Sequence, residues 1–149
     1  MELKLRPVTE ADIKKILEWR NNPGVRANSF QTSEIKWEEH SSYWTMRLAD
    51  KTNYSYIAVL EGTDAGLVRL DKKESGEYEI NILIAPGFRG KGLGIATIAE
   101  TKKIAAGFGI TRLIARVKPD NIPSQKIFEK NGFERKGGNE EYVLYEFSL

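Results

Sequence analysis

A glycine-rich run, Arg89-Gly90-Lys91-Gly92-Leu93-Gly94, holds the residues of this sequence that are best suited to bind an anion. It lies between a predicted strand and a predicted helix. Glycines let backbone amides approach a ligand closely, and the unpaired N–H groups at a helix N-terminus attract phosphate. The two cationic side chains add positive charge. The run therefore predicts a pyrophosphate site, and the alternative interpretation is a strand-to-helix turn that binds nothing.

Two common phosphate-binding motifs do not fit this run. A Walker A loop needs Gly-x-x-x-x-Gly-Lys followed by Ser or Thr, but residue 85 is alanine and the lysine is followed by Gly92. A dinucleotide fingerprint, Gly-x-Gly-x-x-Gly, fails as well. Counted from Gly90 its last position falls on Ile95, and counted from Gly92 it falls on Thr97. These mismatches exclude a P-loop nucleoside triphosphatase and a classical dinucleotide-binding turn.

Hydrophobic spacing and turn residues predict the elements that position the run, in the order β-α-α-β-β-β-α-β-α-β-β. The spacers between the second, third and fourth strands are short and rich in turn residues, which predicts antiparallel pairing. The predicted strands are 2–8, 54–60, 66–71, 78–84, 111–117, 133–135 and 142–147. The predicted helices run from a capping box at 9–12 to the turn at 21–24, then over 33–48, 93–106 and 123–130.

Composition narrows the class of protein. The chain has 149 residues, of which 40% are hydrophobic and 30% charged, so we expect one domain over residues 1–149. It has no cysteine, which excludes thiolate catalysis, disulfides and thiolate metal sites, and no metal is expected. The sequence has no run of the ~20 apolar residues that span a bilayer and no signal-peptide pattern at its start, so we expect a cytoplasmic protein without a membrane partner. A net charge of +2 gives no indication of a nucleic-acid partner.

Two motifs stand at a compatible separation: Arg89-x-x-Gly92-x-Gly94 and Asn121-x-x-Ser124. The first resembles the acyl-CoA pyrophosphate motif of the GNAT superfamily of N-acetyltransferases, and the second resembles the helix that follows in that superfamily. The resemblance covers nearly the whole chain, including the order of elements. It implies an α/β (α+β) fold with a mixed, mainly antiparallel sheet flanked by helices, and acetyl-CoA as the co-substrate.

The resemblance also implies a place for the cofactor. The fourth and fifth strands would splay apart and admit the pantetheine arm, and a backbone N–H between them could stabilise the oxyanion. The implied cofactor-binding residues are Leu83, Ile84, Arg89, Gly90, Lys91, Gly92, Leu93, Gly94, Asn121, Ser124 and Phe128. For Asn121 and Ser124, helix capping is an alternative that can coexist with cofactor contact.

Direct attack of an amine on a thioester needs a base and an acid. Glu79, on the predicted fourth strand, is the candidate base, because a carboxylate in a partly apolar cleft can accept a proton. A surface glutamate is the alternative interpretation. Phe128 stands where many GNAT enzymes carry a tyrosine acid, so Tyr142, Tyr145, Ser124 and water remain open as proton donors.

The region from Trp19 to His40 resembles the acceptor side of amino-sugar N-acetyltransferases from pseudaminic-acid-type pathways, with ribosomal-protein N-terminal acetyltransferases as relatives. The implied acceptor-binding residues are Arg26, Phe30, His40 and Trp44, although a simply packed histidine is the alternative for His40. We therefore expect a monomeric or homodimeric enzyme that acetylates a primary amine, in a nucleotide-linked amino sugar or another small molecule. A protein N-terminal acetyltransferase and a non-catalytic CoA-binding module are the alternatives.

Overall fold

A computed structural model describes residues 2–149 and gives an order of elements close to the predicted one. The elements are β1 (Leu3–Pro7), α1 (Ile13–Asn21), α2 (Pro23–Ala27), α3 (Trp37–Ala49), β2 (Tyr54–Leu60), β3 (Thr63–Lys72), β4 (Tyr78–Ile84), α4 (Leu93–Gly107), β5 (Arg112–Val117), α5 (Ile122–Lys130), β6 (Glu134–Gly138) and β7 (Val143–Ser148). A 3-10 turn, Glu10–Asp12, precedes α1 and carries the predicted capping box. No helix within residues 2–149 is both long enough and apolar enough to cross a membrane.

The strands form one seven-stranded sheet in the order β1-β2-β3-β4-β5-β7-β6. Every neighbouring pair is antiparallel except β4 and β5, which are parallel. The predicted fold class, a mixed and mainly antiparallel sheet flanked by helices, is confirmed. Antiparallel pairing of β2, β3 and β4 follows from their short turns, because a parallel pair needs a long crossover.

The sheet opens between β4 and β5. These strands pair in register only at Tyr78 with Leu113 and at Glu79 with Ile114. From Ile80 to Ile84, β4 is paired with β3 alone. One edge of β4 therefore loses its strand partner in the middle of the sheet.

Apolar side chains cover both faces of the sheet. Successive residues of a strand point to opposite faces, so on β3 the buried Leu67 joins one cluster and the buried Val68 the other. The cluster with Leu67 includes Ile16 of α1 and Trp44 of α3, and the cluster with Val68 includes Ile98 of α4. Each fully buried side chain of this size stabilises the fold by about 1.5–3 kcal/mol, which holds the helices in place around the opening.

Helix α2 was not predicted. Asn21 to Gly24 were interpreted as the end of the first helix, but the same residues also begin a second one. The Asn22 side chain accepts a hydrogen bond from the Gly24 N–H at 2.9 Å, and Pro23 occupies the first helical position, which suits a residue without an N–H. The turn therefore ends one helix and caps the next.

Three other predicted boundaries were wrong. Helix α3 begins at Trp37 instead of Ser33, because the Asn21 side chain exchanges two hydrogen bonds with the Ile35 backbone, at 2.9 and 2.8 Å, and holds that segment outside the helix. Strand β3 begins at Thr63 instead of Gly66, since the hairpin turn needs only Glu61 and Gly62, both at positive φ. Strands β6 and β7 cover residues 134–138 and 143–148, so their turn lies after the two glycines instead of around them.

Candidate active site

A cleft of about 810 Å³ lies where β4 and β5 separate. Residues 80–84 of β4, the ends of β5 and α5, the turn before α4 and the segment after α2 line it. Of the cofactor residues implied by the sequence, all line this cleft except Lys91, whose ammonium lies 5.7 Å from the ring centre of Phe88. The two motifs are therefore brought together on one wall of one cavity.

The glycine-rich turn has the backbone that close approach of a ligand requires. Gly90 and Gly92 have φ angles of 76° and 75°, a left-handed conformation that favours glycine, and no other group lies within 4 Å of where a Cβ of Gly90 would be. Gly92 is also the N-cap of α4, so the first-turn N–H groups that follow it have no partner within the helix. Backbone donors and open space coincide there, as an anion site needs.

Gly94 has a different role from the two glycines before it. A Cβ at this position would lie 2.8 Å from Cδ1 of Ile127, closer than real Cβ contacts. Its lack of a side chain lets α4 pack against α5. This packing sets the glycine turn beside the beginning of α5, where the second motif lies.

Asn121 caps α5. Its side-chain oxygen accepts a hydrogen bond from the Ser124 N–H at 3.2 Å, so the capping interpretation applies while both side chains line the cleft. Phe128, one helical turn further on, is 3% exposed and packs edge-on against Phe133 with ring centres 5.1 Å apart. The α5 wall of the cleft is therefore polar at its start and carries both basic and apolar side chains further along.

The charged side chains that line the cleft are all basic among residues 2–149. They are Arg20, Arg69, Arg89, Arg116, Lys118, Lys126 and Lys130. A cavity with one sign of charge attracts ligands of the other sign. The cleft is therefore suited to anionic ligands along its whole length.

Glu79 is buried next to the cleft but does not line it. Its Oε2 accepts a hydrogen bond from Nε of Arg116 at 2.8 Å, and its Oε1 forms an ion pair with Lys73 at 3.0 Å. Arg116 itself lines the cleft, and its guanidinium carbon lies 5.7 Å from the ring centre of Phe30. Between Glu79 and the cleft, the structure thus places an arginine.

The candidate proton donors lie in different environments. Ser124 lines the cleft. The hydroxyl of the fully buried Tyr145 donates to Glu129 at 2.6 Å, and burial together with that carboxylate raises the pKa of Tyr145 to about 12. Tyr142 packs against Arg116, with the guanidinium carbon 5.5 Å from its ring centre, and does not line the cleft.

The predicted acceptor residues are divided between two cavities. Phe30 lines the cleft, whereas His40 and Trp44 line a side pocket of about 220 Å³ that shares Arg20 and Arg69 with it. Arg26 lines neither, and its buried Nε has no hydrogen-bond partner within residues 2–149.

His40 is 3% exposed, and its Nε2 lies 2.7 Å from the Ile13 carbonyl oxygen. Burial lowers the pKa of His40, so the ring is neutral near pH 7. A carbonyl oxygen only accepts hydrogen bonds, so Nε2 carries the proton. These contacts agree with the interpretation of a packed histidine.

Residues 2–134 match the family of GNAT acetyltransferase domains. The chain belongs to this family. The predicted class of domain, a GNAT acetyltransferase domain, is thereby confirmed. Family membership does not fix the acceptor, since members with one fold modify many different amines.

This GNAT domain is similar to two relatives in sequence and to two solved structures in fold. It is 31% identical to an uncharacterised protein of Methanocaldococcus jannaschii, over 97% of this chain and 31% of that protein. This chain therefore spans about a third of the length of the M. jannaschii protein. It is 27% identical to spermidine N(1)-acetyltransferase of Escherichia coli, over 99% of this chain and 78% of the enzyme. A crystal structure of a domain from M. jannaschii superposes with a TM-score of 0.88 at 30% identity, covering 99% of both chains. The N-acetyltransferase PseH of Campylobacter jejuni, solved with acetyl coenzyme A, has the same fold, with a TM-score of 0.77 at 17% identity over 99% of both chains.

The residues of this GNAT domain fit acetyl-CoA. The space beside Gly90 can admit a pyrophosphate, the basic lining suits its charge, and the unpaired edge of β4 offers backbone groups to an extended chain. Arg89 makes one contact in this structure and keeps other N–H donors free for a phosphate. Its NH2 group donates to the Gly24 carbonyl at 3.2 Å and so ties the turn to α2.

Arg20 falls within the region from Trp19 to His40 that was assigned to the acceptor side, but neither Arg20 nor Arg69 was among the predicted acceptor-binding residues. Both line the cleft and the side pocket. A signal for each was present. Arg20 follows the buried Ile16 by four residues and so lies on the same face of α1. Arg69 follows the buried Leu67 by two residues and so lies on the same face of β3. Both positions therefore point towards the body of the protein.

Proposed function

We propose that this protein is an acetyl-CoA-dependent N-acetyltransferase that acetylates the primary amine of a nucleotide-linked amino sugar or another small amine by direct attack in a ternary complex. The observation that carries the proposal is the cleft at the divergence of β4 and β5. It is continuous from the glycine-rich turn to the acceptor residue Phe30. One cavity can therefore hold donor and acceptor side by side, which direct transfer requires.

When bound, acetyl-CoA supplies the acetyl group as a thioester. The cleft edge of β4 offers backbone N–H groups, which stabilise negative charge on a reacting carbonyl oxygen. Arg89 and the first turn of α4 would hold the pyrophosphate, and Asn121 and Ser124 would contact the cofactor from α5. Three side-chain hydroxyls were considered as proton donors. Ser124 lines the cleft, unlike Tyr142 and Tyr145, so Ser124 and water are the candidates for the donor.

Glu79 remains our candidate for the base, although it does not line the cleft and therefore cannot contact the amine directly. Both of its oxygens are engaged, one by Arg116 and one by Lys73, and Arg116 stands between it and the cleft. A proton from the amine would therefore reach Glu79 through a water molecule, or after one ion pair opens. A role in orienting Arg116 is the competing account.

Two variants separate these accounts of Glu79. If Glu79 is the base, Glu79→Gln lowers kcat and removes the acid limb of the pH–rate profile, whereas Arg116→Gln keeps that limb. If Glu79 only orients Arg116, the two variants change kcat alike and leave the shape of the profile unchanged. In both cases the affinity for acetyl-CoA, measured by titration, should stay close to that of the wild type.

The amino-sugar acceptor is supported by the basic lining of the cleft and by the aromatic ring of Phe30 beside it. A ring of this kind can pack on a sugar or base, and guanidinium groups bind phosphate. The fold shared with PseH is compatible with this acceptor. The relationship to the E. coli spermidine acetyltransferase supports a small amine in general, so spermidine belongs among the compounds to be assayed.

The test combines cofactor binding and acceptor choice. Acetyl-CoA at about 100 times its dissociation constant should stabilise the protein by about 2.7 kcal/mol in thermal unfolding. Acetyl transfer is then compared among a UDP-linked 4-amino-4,6-dideoxy sugar, spermidine and N-terminal peptides. Turnover of the peptides alone would establish the N-terminal acetyltransferase instead, and stabilisation without any turnover would establish a CoA-binding module. No stabilisation at millimolar acetyl-CoA would refute all three.

A further inference from the structure

Arg20 and Arg69 meet at the junction of the cleft and the side pocket, since both line both cavities. Arg20 lies in the last turn of α1, and Arg69 lies on β3 directly opposite Asn81 of β4. Two elements that are distant in sequence thus bring two guanidinium groups to one place. The pair lies on the acceptor side of the cleft, away from the glycine-rich turn.

Neither guanidinium has a carboxylate partner within residues 2–149. Arg20 makes no side-chain hydrogen bond or ion pair there, and Arg69 donates to the hydroxyl of Tyr43 and lies 5.9 Å from its ring centre. Glu39 also lines the side pocket but forms no ion pair with either arginine, and the acidic side chains on the same face of the sheet are already engaged. Asp71 pairs with the buried Arg47, and Glu79 pairs with two other cations.

This arrangement has an electrostatic cost that a bound anion would remove. Burial and the neighbouring Arg69 guanidinium lower the pKa of Arg20, because both disfavour its charged form. A guanidinium carries five N–H donors in a planar fork that matches a carboxylate or a phosphate. The two side chains together offer many such donors. Among the described residues, one of these donors is used, in the hydrogen bond from Arg69 to the Tyr43 hydroxyl.

We propose that Arg20 and Arg69 bind an anionic group of the acceptor, so that the acceptor is an amine that also carries a carboxylate or a phosphate. This inference rests on the proposed function and specifies its substrate class. It disfavours polycationic acceptors, because a second positive charge would meet two arginines at this end of the cleft.

The positions of the strands agree with a small acceptor. Asn81, opposite Arg69, precedes Leu83 by two residues, which is about 7 Å along the strand. Leu83 lies on the unpaired part of β4, where the thioester is expected. The anionic group and the reacting amine can therefore belong to one small molecule.

The first experiment compares acceptors that differ in the anionic group. The pairs are glycine and glycinamide, O-phosphoethanolamine and ethanolamine, and a UDP-linked amino sugar and the free sugar, with spermidine as the polycation. In at least one pair the anionic member should have a kcat/KM higher by about tenfold or more, and Arg20→Gln should abolish that preference. The pair that shows this preference identifies the anionic group that the site binds as a carboxylate, a phosphate or a nucleoside diphosphate.

The second experiment measures binding without turnover. With CoA in place of acetyl-CoA, the preferred anionic acceptor, or UDP if no acceptor is turned over, is titrated calorimetrically into the CoA-saturated protein. Arg20→Gln should weaken its binding by about tenfold or more and leave CoA binding unchanged. The control is Lys14→Gln, which removes one positive charge from the exposed side of the same helix and should change neither. If Arg20→Gln does not fold, Arg69→Gln provides the same comparison.

The outcomes separate this inference from the proposed function. Anion binding that depends on Arg20 in a protein without transferase activity would uphold the anion site and refute the proposed function. Turnover with no preference for anionic acceptors, or a preference for spermidine, would uphold the function and refute the site. Equal weakening by Lys14→Gln would also overturn the inference, because it would show a general charge effect.

Discussion

Replacing Gly66 by alanine should disturb both the sheet and the cofactor side of the cleft. Gly66 is buried on β3 opposite Ile84, and a Cβ there would lie 2.7 Å from the Leu83 carbonyl oxygen. Carbon–oxygen contacts normally lie at about 3.3–3.6 Å, so the backbone of β4 would have to move by roughly 0.6 Å. The clash is with backbone in the middle of a sheet, where no side chain can rotate away.

The expected loss of stability from Gly66→Ala follows from two opposing contributions. Overpacking of a buried site costs about 1–3 kcal/mol, and alanine restricts the unfolded chain, which returns about 0.4–1 kcal/mol. The net loss of about 1–2 kcal/mol corresponds to a fall in Tm of about 2–8 °C. Because Leu83 lies on the unpaired edge of β4, the shift should also raise KM for acetyl-CoA on the order of tenfold.

Urea unfolding and steady-state kinetics measure the two effects of Gly66→Ala. The matched control is Gly107→Ala at the end of α4, where no neighbouring group lies within 4 Å of the added Cβ; it should raise stability by about 0.4–1 kcal/mol and leave KM nearly unchanged. If Gly66→Ala is as stable as the wild type, or if both variants lose stability equally, the argument from the close strand contact fails.

Three further predictions follow from buried polar contacts. Arg47→Met should destabilise the fold by about 3 kcal/mol or more in urea unfolding, because it leaves Asp71 and the Tyr54 carbonyl without their partner; a loss below about 1 kcal/mol would contradict this. Hydrogen bonds from the Arg6 guanidinium lower the pKa of Asp12 in the folded protein. The carboxylate therefore stabilises the fold above about pH 4, the pKa of an unfolded aspartate, and this stabilisation is lost as the pH falls through the lower pKa of the folded state. Asp12→Asn should flatten that part of the curve of stability against pH. Tyr145→Phe should keep kcat within about twofold, since its hydroxyl is buried away from the cleft, whereas a loss on the order of 100-fold would identify it as the proton donor.

Local signals predicted the glycine turn before α4 and the beginning of α5. The glycines before α4 and the Asn121 cap of α5 act through their own backbone and near neighbours, so residue type and spacing suffice to identify them. The same kind of signal misled at Asn22-Pro23, because an asparagine followed by proline suits the end of one helix and the beginning of the next. Local chemistry alone does not choose between those two uses.

The acceptor half depends on contacts between residues that are distant in sequence. The sequence predicted that Glu79 lies on the fourth strand, but its ion pair with Arg116 joins residues 37 positions apart on strands that meet only in the fold. Arg20 and Arg69 come together in the same way, from a helix and a strand. Sequence spacing predicts that each side chain points inward, but it does not predict which partner each one meets.

The opening between β4 and β5 leaves part of a strand edge unpaired within the sheet. An exposed strand edge is a template on which other chains add a strand, and proteins usually protect such edges with charge, proline or a covering loop. Here the free edge of β4 is recessed in a cavity whose lining carries only positive charge among the described residues. A narrow ligand can reach this edge, whereas a second protein strand would need space on both sides. A recess that suits an extended ligand thus also restricts the access of another chain to this edge.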